Sequence, residues 1–454
     1  MSRRSNSAET QLSLGTLHSG QAIAYWALKK HRFKALRCGR RFGKTDFAKN
    51  WISQGLVQGW ECAWFAPQHM TWSEVYADLA DALRPILNTS SKGAAVMRVR
   101  TGGRLDFWSL ENPIAGRGRR YHRIVIDEAA FAKNGDNKLD SSMTAIWEKA
   151  IKPTLYDYGG EALVCSNSAG KNPDNFFYNI CTDQKYGFDE FHSTTLDNPF
   201  LPKRYQNESF ADWHARRAKF QADLMRDNDP LVYAQEYLAE FVDWSGVAFF
   251  SREKLLDQLQ PVPFPSTCDG VFAVIDTASK TGTDNDATAV TFFSRNRYYG
   301  RPLLILDWDI AQIEGAILET WLPSVFQRLE ELARLCHARF GSLGVFIEDK
   351  NSGTILLQQA RRRGMRAHAI ESKLTAMGKD ERAINVSGYV HRGNVKYTDF
   401  AFNKVSIYKQ KSRNHLLDQI ESFHVGDKEG GREDDLLDTF CYGIAIALGN
   451  SEGF

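Results

Sequence analysis

The stretch FKALRCGRRFGKTDFAKNWISQ, residues 33–54, decides the fold of the first half of the chain. Its apolar start predicts a strand and its amphipathic end predicts a helix, with a glycine-containing turn between them. In a P-loop, the backbone amides of such a turn cradle phosphates, a lysine neutralises them, and a Ser or Thr hydroxyl holds magnesium. Gly43, Lys44 and Thr45 occupy the last three positions of that pattern, and Cys38 replaces its first glycine. The stretch therefore predicts a variant phosphate-binding loop.

A second signature, YHRIVIDE at residues 121–128, is an apolar strand that ends in two acids. On the same sheet as a P-loop, Asp127 is expected to hold magnesium through water and Glu128 to polarise the attacking water. A strand that merely ends in a charged turn is the structural alternative. Another apolar strand runs into SNS, where Ser166 and Asn167 are placed to sense the terminal phosphate, unless they only form a polar turn.

The first 240 or so residues alternate apolar strands with amphipathic helices, which predicts an α/β domain with a mostly parallel sheet flanked by helices. The strand candidates are residues 33–38, 62–66, 104–108, 123–126 and 161–166, and the helix candidates are residues 46–54, 73–83 and 205–225.

Composition is that of an ordinary globular chain of 454 residues, 43% hydrophobic and 25% charged, which suits two or three domains. No apolar run approaches the roughly 20 residues that span a bilayer, so we expect a cytoplasmic protein. The seven cysteines are scattered singly and predict reduced core residues. Because the net charge is only +2, any nucleic-acid surface must be local.

The character of the sequence changes near Gln258, where three prolines within QLQPVPFPSTCDG favour an extended connector. We predict a first domain over residues 1–245, a linker over 246–268 and a second domain over 269–454. The second domain begins with three strand-like runs, residues 270–279, 287–294 and 301–310, followed by a helix at 314–339 and a strand at 343–349. This order predicts a mixed sheet of the ribonuclease H type.

Acidic residues stand in three separate places of that second domain. Asp276 ends a predicted strand, Glu348 and Asp349 end another, and Glu433, Asp434, Asp435 and Asp438 lie at the start of an apolar helix. Asp435 with Asp438, or Asp434 with Asp438, can share a face of that helix. Two-metal phosphodiester cleavage needs carboxylates gathered in this way around two Mg²⁺ or Mn²⁺ ions. Because neighbouring strand residues point to opposite faces, only one of the pair at 348–349 is expected to face the metals. Opposition of the helix dipole is an independent explanation for the acids at the helix start.

Together, CGRRFGKT, IVIDEA, SNS and the acidic positions resemble the large subunit of the terminase of tailed bacteriophages, over nearly the whole chain. The resemblance implies an ATPase that packages double-stranded DNA into a procapsid, joined to a ribonuclease H-like nuclease that cuts it. It also implies a homo-oligomeric ring, by analogy a pentamer, on the portal protein, and a small terminase subunit that chooses the DNA. The isolated chain is expected to be monomeric and, in infection, to lie in the cytoplasm of the bacterial host.

Several site residues follow from this resemblance. It implies that Gln21 reads the adenine edge, that Glu348 rather than Asp349 binds metal, and that an arginine completes the ATP site. The arginine candidates are Arg40, Arg41, Arg117 and Arg119, and the predicted nucleotide-binding residues are Gln21, Gly39, Arg40, Arg41, Gly43, Lys44, Thr45, Asp127 and Asn167. Family members usually have a histidine before the paired aspartates, where this chain has Glu433. We assign metal binding to Asp276, Glu348, Asp435 and Asp438.

Other positions stay open at this stage. Asp286 either flanks the metals or shapes a turn, and Lys373 and Lys379 either contact the scissile strand or lie in a solvated loop. The alternative function is a cellular helicase or repair nuclease, which would use the same two chemistries without a capsid. A third possibility, a non-catalytic nucleic-acid scaffold, is weakened by the presence of Lys44, Glu128 and Asp276.

Overall fold

The computed structural model describes Leu12 and residues 14–132, 142–244, 249–277, 288–297, 300–311, 318–349, 352–425 and 433–449. The chain divides into two compact units. One is Met1–Leu224 with Pro230–Asp243, and the other is Met225–Asp229 with Trp244–Phe454. Among the described residues, no helix is long and apolar enough to cross a membrane.

The first unit is built on an eight-stranded sheet. Its strands are β1 Phe33–Cys38, β2 Glu61–Ala66, β3 Leu87–Ser91, β4 Val96–Val99, β5 Arg104–Ser109, β6 Arg123–Asp127, β7 Glu161–Ser166 and β8 Asp189–Ser193. Their order is β3-β4-β5-β2-β6-β7-β1-β8. All pairs from β5 to β8 are parallel, whereas β3 and β4 join antiparallel. The predicted mostly parallel sheet is confirmed.

Helices cover both faces of this sheet, because its central strands are apolar on both sides. The helices before residue 244 are α1 Ser19–Leu28, α2 Lys44–Val57, α3 His69–Ala82, α4 Met143–Ile146, α5 Phe176–Thr182, α6 Phe210–Asp227 and α7 Pro230–Glu236. Neighbouring strand residues alternate between two cores: Leu36 and Trp64 belong to one, and Ala35 and Phe65 to the other. This double burial is what a parallel sheet requires.

The second unit holds a six-stranded mixed sheet and a small hairpin. The strands are β9 Gly270–Asp276, β10 Thr288–Arg295, β11 Leu303–Ala311, β12 Ser342–Ile347, β13 Ala367–Ala369, β14 Val395–Tyr397, β15 Ser406–Tyr408 and β16 Lys411–Arg413. The order is β13-β12-β9-β10-β11-β14, with β15 and β16 paired separately. Strands β9, β10 and β11 are antiparallel neighbours, and the outer pairs are parallel. The predicted mixed sheet is confirmed.

The helices of the second unit place its acidic residues. They are α8 Leu318–Leu335, α9 Ser352–Arg362, α10 Ser372–Thr375, α11 Lys379–His391, α12 Asp399–Asn403, α13 His415–Ser422 and α14 Asp435–Leu448. Helix α14 packs closely on the sheet: a Cβ on Gly443 would lie 2.3 Å from the Phe293 ring. The Thr439 and Thr291 hydroxyls share a hydrogen bond of 2.7 Å at the same contact.

Shorter helical turns complete the two units. One π-helical segment, Trp147–Ile151, continues α4, and 3₁₀ turns lie at Arg84–Ile86, Ala129–Phe131, Lys152–Leu155, Gln184–Tyr186, Thr195–Asp197 and Arg252–Leu255.

The predicted strands and the P-loop helix are confirmed, but some helix ends differ. Helix α6 begins at Phe210 instead of 205, because the Glu208 carboxylate accepts from the Tyr205 amide and the Ser209 hydroxyl accepts from the Asp212 amide. These two bonds satisfy amides in the non-helical turn that precedes the helix. Helix α8 ends at Leu335 rather than 339, since Ala338 already pairs with Cys268 as a β-bridge.

Candidate active sites

The turn between β1 and α2 forms a P-loop. Gly43 caps α2 with a left-handed backbone, φ 97° and ψ 33°, which a glycine adopts without strain. The Lys44 ammonium is buried and donates to the Cys38 carbonyl at 3.1 Å. The Lys44 ammonium therefore lies within the loop, close to the N-terminus of α2. The partial positive charge of a helix N-terminus favours phosphate binding at this point.

Gly39 is required by its surroundings. A Cβ at this position would lie 2.3 Å from the Tyr237 carbonyl oxygen and 2.5 Å from the Thr195 hydroxyl. The Thr195 hydroxyl also donates to the Arg40 carbonyl at 2.6 Å. The substitution of the usual first glycine by Cys38 is therefore accompanied by a second position that only glycine fits.

Gln21, on α1, lies against the far end of the loop. Its amide nitrogen donates to the Gly43 carbonyl at 2.8 Å, and its amide oxygen accepts from the His18 backbone at 3.0 Å. His18 caps α1 and shares a 2.7 Å hydrogen bond with the Phe42 carbonyl. The structure thus brings Gln21 to the P-loop, while its role toward adenine stays a prediction.

Thr45 and Asp127 meet at the carboxyl ends of β1 and β6. The Thr45 hydroxyl donates to the buried Asp127 carboxylate at 3.2 Å. Burial and the neighbouring Glu128 raise the pKa of Asp127 to about 7, while Lys44 acts in the opposite direction. A hydroxyl and a carboxylate are hard oxygen ligands of the kind that Mg²⁺ prefers. A cation at this point would also favour the charged form of Asp127, so the residues fit the predicted magnesium.

Glu128 departs from the strand in an uncommon conformation, with φ 51° and ψ 43°. A non-glycine residue held in the left-handed region carries a conformational cost that surrounding contacts must offset, and such residues cluster at functional sites. The Ser166 hydroxyl lies 3.5 Å from the Glu128 carboxylate and accepts from the Ala130 amide at 3.2 Å. The end of β7 therefore contacts the residue predicted to activate water.

Asn167 connects to a residue that sequence reasoning missed. Its amide donates to the Glu236 carboxylate at 2.8 Å, and the Arg40 guanidinium pairs with the same carboxylate. Glu236 is only 1% exposed and also accepts from Gln235 at 3.2 Å. Because Glu236 and Arg40 are 196 residues apart, no local sequence signal could have predicted this contact.

The four arginine candidates have different surroundings. Arg40 is held by Glu236, whereas Arg41 is exposed, with φ 64° and its carbonyl accepting from Asn198 at 2.8 Å. Arg119 lies 3.8 Å from Asp106, and Arg117 is exposed. Of the four, Arg40 and Arg41 lie within the P-loop itself.

The predicted metal ligands of the second unit come from neighbouring elements. Asp276 ends β9, and Glu348 directly follows β12, which is the parallel neighbour of β9 with Ile275 opposite Ile347. The two acids therefore leave the sheet at the same edge. The Gln419 side chain fixes the start of α14 by accepting from the Leu436 and Leu437 amides at 2.8 and 3.2 Å.

Three of these acids act on the charge of the fourth, Asp276. Burial, followed by the charges of Asp438, Glu348 and Asp435, raises the pKa of Asp276 well above its usual value, while Arg382 acts in the opposite direction. Asp438, Glu348 and Asp435 therefore lie near enough to Asp276 to affect its ionisation. Arg382, a cation in the same site, was not predicted from the sequence.

The carboxylates of Glu348 and Asp349 differ in burial and in the groups that they contact. Glu348 is half-buried and acts on Asp276, whereas Asp349 is exposed and accepts from the Thr354 hydroxyl at 2.7 Å. The predicted strand reaches residue 349, but β12 ends at Ile347, so the two carboxylates separate after the strand rather than by strand alternation. Gly353 allows the turn, since a Cβ there would lie 1.9 Å from the Glu348 carbonyl oxygen.

The remaining acids near α14 pair with cations. The Asp438 carboxylate lies 3.1 Å from the Arg382 guanidinium, Lys379 pairs with Asp434, and Lys409 lies 3.4 Å from Glu433. Lys379 thus contacts an acid of the site. Lys373 is exposed on α10, and Asp286 lies outside the described residues.

The donor set fits a divalent cation in chemical type. Asp276, Glu348, Asp435 and Asp438 offer only carboxylate oxygens, which Mg²⁺ and Mn²⁺ prefer, and their mutual repulsion makes an added positive charge favourable. Over the part of the chain that the structure describes, no three such side chains already stand close enough to hold an ion.

No family model and no curated protein matches the sequence. Among solved structures, the large terminase of a thermophilic bacteriophage in complex with ADP is 12% identical, with a TM-score of 0.65, over 95% of this chain and 99% of that chain. The same protein in complex with ATP-gamma-S is 13% identical, with a TM-score of 0.64, over the same shares.

Another crystal form of the same large terminase is 11% identical, with a TM-score of 0.63, and the match covers 96% of this chain and 100% of that chain. At such low identity the likeness concerns the fold. The fold class predicted from the sequence is confirmed across both units. The chain has the fold of these bacteriophage large terminases.

Proposed function

We propose that this chain is the large subunit of a tailed-bacteriophage terminase. It would hydrolyse ATP to move double-stranded DNA into a procapsid, and it would cleave concatemeric DNA with a separate nuclease site. The observation that carries the proposal is the combination, on one chain, of a P-loop unit and a later carboxylate site within a fold shared over nearly all of its length. The fold alone does not supply the function; the residues at the two sites do.

In the ATP site, each residue has a role set by its position. Lys44 and the loop amides would bind the β- and γ-phosphates, and Thr45 with Asp127 would hold Mg²⁺, which neutralises phosphate charge when bound. Glu128 would orient and polarise the attacking water. Asn167 would register the loss of the terminal phosphate, and its hydrogen bond to Glu236 would transmit that change.

In the nuclease site, Asp276, Glu348, Asp435 and Asp438 would hold divalent cations, Mg²⁺ or Mn²⁺. Such a pair of ions supplies an activated water and stabilises the leaving oxygen of the phosphodiester. The contribution of the chain is to gather the carboxylates at one edge of the sheet and to keep α14 in register through Gly443.

The resemblance further leads us to propose partners: double-stranded DNA, a portal ring, a small terminase subunit and other copies of this chain in a ring, expected to be a pentamer. The site of action would be the cytoplasm of the infected host. A cellular helicase or repair nuclease is the alternative, and the whole-chain likeness to phage large terminases does not favour it.

The experiment that tests the proposal separates the two activities. Glu128→Ala should abolish DNA-stimulated ATP turnover and leave metal-dependent nicking of plasmid DNA intact, while Asp276→Ala should do the reverse. Packaging of DNA into purified procapsids by wild-type protein with ATP tests the biological role. Unwinding of a forked duplex without packaging would favour the helicase alternative, and loss of both activities in each folded variant would contradict separate sites.

A further inference from the structure

Helix α11 presents two cations to the acidic start of α14. Lys379, the first residue of α11, pairs with Asp434, and the Arg382 guanidinium lies 3.1 Å from the Asp438 carboxylate. The cations are three residues apart on one helix and the acids four apart along the other. Since residues at these spacings share a helix face, the two pairs form adjacent contacts between the two helices.

Arg382 is the more deeply placed of the two cations. Its residue is 8% exposed, and its guanidinium lies 4.2 Å above the centre of the Tyr442 ring. One terminal nitrogen donates to the Met377 carbonyl at 3.3 Å. Its other terminal nitrogen is the one that lies 3.1 Å from Asp438, outside hydrogen-bond geometry, and among the described residues its Nε makes no hydrogen bond.

A buried guanidinium with unused donors is costly unless a strong field of opposite charge holds it. That field is present, because the negative charges of Asp438 and Asp276 act on Arg382. The interaction works in both directions, since Arg382 opposes the repulsion that Asp276 experiences from its acidic neighbours. The same negative charges that stabilise Arg382 would therefore stabilise a bound divalent cation.

We propose that Arg382, supported by the more exposed Lys379, is a resident counter-cation of the nuclease site that competes with the divalent cation and lowers its affinity. Arg382 is a positioning residue that acts through Asp438. The inference rests on the proposed nuclease function. It implies a site that stays weakly loaded until metal or DNA displaces the guanidinium from Asp438, which would restrain cleavage.

The direct test measures Mn²⁺ binding to the full-length protein without nucleotide. Calorimetry gives the dissociation constant, and the Mn²⁺-dependent shift in the midpoint of thermal unfolding gives a second readout. Arg382→Gln should lower the Mn²⁺ dissociation constant by on the order of tenfold or more, because a unit positive charge leaves a partly buried site. Arg382→Lys keeps the charge and should stay within about threefold of wild type. Lys379→Gln should tighten binding in the same direction by roughly twofold to threefold, since exposed charges are screened.

Arg392→Gln is the matched control, because this arginine lies at the other end of α11, is exposed and donates to the Asp227 carbonyl. Its Mn²⁺ binding should equal that of wild type. Asp276→Asn should remove this Mn²⁺ binding, which shows that the measured binding occurs at the nuclease site. If wild type shows no binding that Asp276→Asn removes, the proposed nuclease function fails. If wild type shows that binding, and Arg382→Gln leaves it unchanged or weakens it, only the counter-cation inference is overturned. If Arg382→Gln does not fold, the inference is overturned when Lys379→Gln fails to bind Mn²⁺ more tightly than wild type.

Discussion

The Asn167 amide donates to the Glu236 carboxylate across 2.8 Å, and that carboxylate also pairs with Arg40 of the P-loop. The end of β7, the P-loop and the end of α7 are therefore joined through one buried acid. In a nucleotide-hydrolysing site, a movement of Arg40 would be transmitted through the Glu236 carboxylate to Asn167 and to α7.

Replacing Glu236 by Gln should lower ATP turnover by about tenfold to a hundredfold, because hydrogen bonds to charged groups contribute roughly 1.5–3 kcal/mol and an amide cannot balance Arg40. Plasmid nicking should stay at the wild-type level. The measurement is steady-state phosphate release with and without DNA. Glu240→Gln, at an exposed position four residues on, is the matched control and should turn over ATP normally. Normal turnover in Glu236→Gln would show that the contact has no part in hydrolysis.

Gly39→Ala should destabilise the first unit by about 3 kcal/mol and abolish nucleotide binding, since the new methyl would overlap the Tyr237 and Thr195 atoms that surround the loop. Chemical denaturation and binding of a fluorescent ATP analogue measure the two effects. Gly93→Ala serves as the control, because a Cβ there meets nothing within 4 Å. Equal stability of the two variants would contradict the close approach.

Asp127→Asn should stabilise the metal-free protein increasingly as pH rises. The pKa of Asp127 is raised in the folded state to about 7, so between the unfolded value of about 4 and 7 the folded chain keeps a proton that the unfolded chain has lost, and stability falls with pH. Asparagine removes this dependence, and the advantage of the variant should grow to the order of 2–4 kcal/mol by pH 8. Urea denaturation with EDTA at pH 5 and pH 8 measures it; a difference independent of pH would refute the burial argument.

Gly443→Ala should displace α14 from β10 and so reduce nicking at least tenfold, with a loss of about 1–3 kcal/mol in stability. ATP turnover should change little. A second substitution, Phe293→Leu, removes the ring atoms that the new Cβ would meet and should restore part of the nicking. Failure of the double variant to recover any activity, with folding intact, would argue against this contact as the cause.

Much of the ATP site was predictable, because its residues stand beside the strands that carry them. Lys44 and Thr45 follow β1, Asp127 and Glu128 end β6, and Asn167 follows β7. In a parallel sheet the carboxyl ends of the strands share one edge, so a correct strand prediction also gathers these side chains. The same reasoning located Asp276 and Glu348 at the edge of the second sheet.

The residues that sequence reasoning missed have no such local signal. Glu236 reaches the P-loop from α7, and Arg382 reaches Asp438 from α11, so both contacts depend on how helices pack. Strands β13 to β16 have three residues each, too short for a periodic pattern to be distinguished from a loop. Strand β3 is exposed and polar, so it lacks the apolar signal on which the other strand predictions depended, and β4 has only four residues.

The confined surroundings of Gly39 have a practical meaning for dissecting the protein. All eight strands of the first sheet are complete by Ser193, yet Thr195 and Tyr237, which enclose this glycine, come later in the chain. A truncation made directly after β8 would keep all eight strands but remove Thr195 and Tyr237, which contact the nucleotide loop. A fragment intended to bind ATP by itself must therefore extend at least through Tyr237.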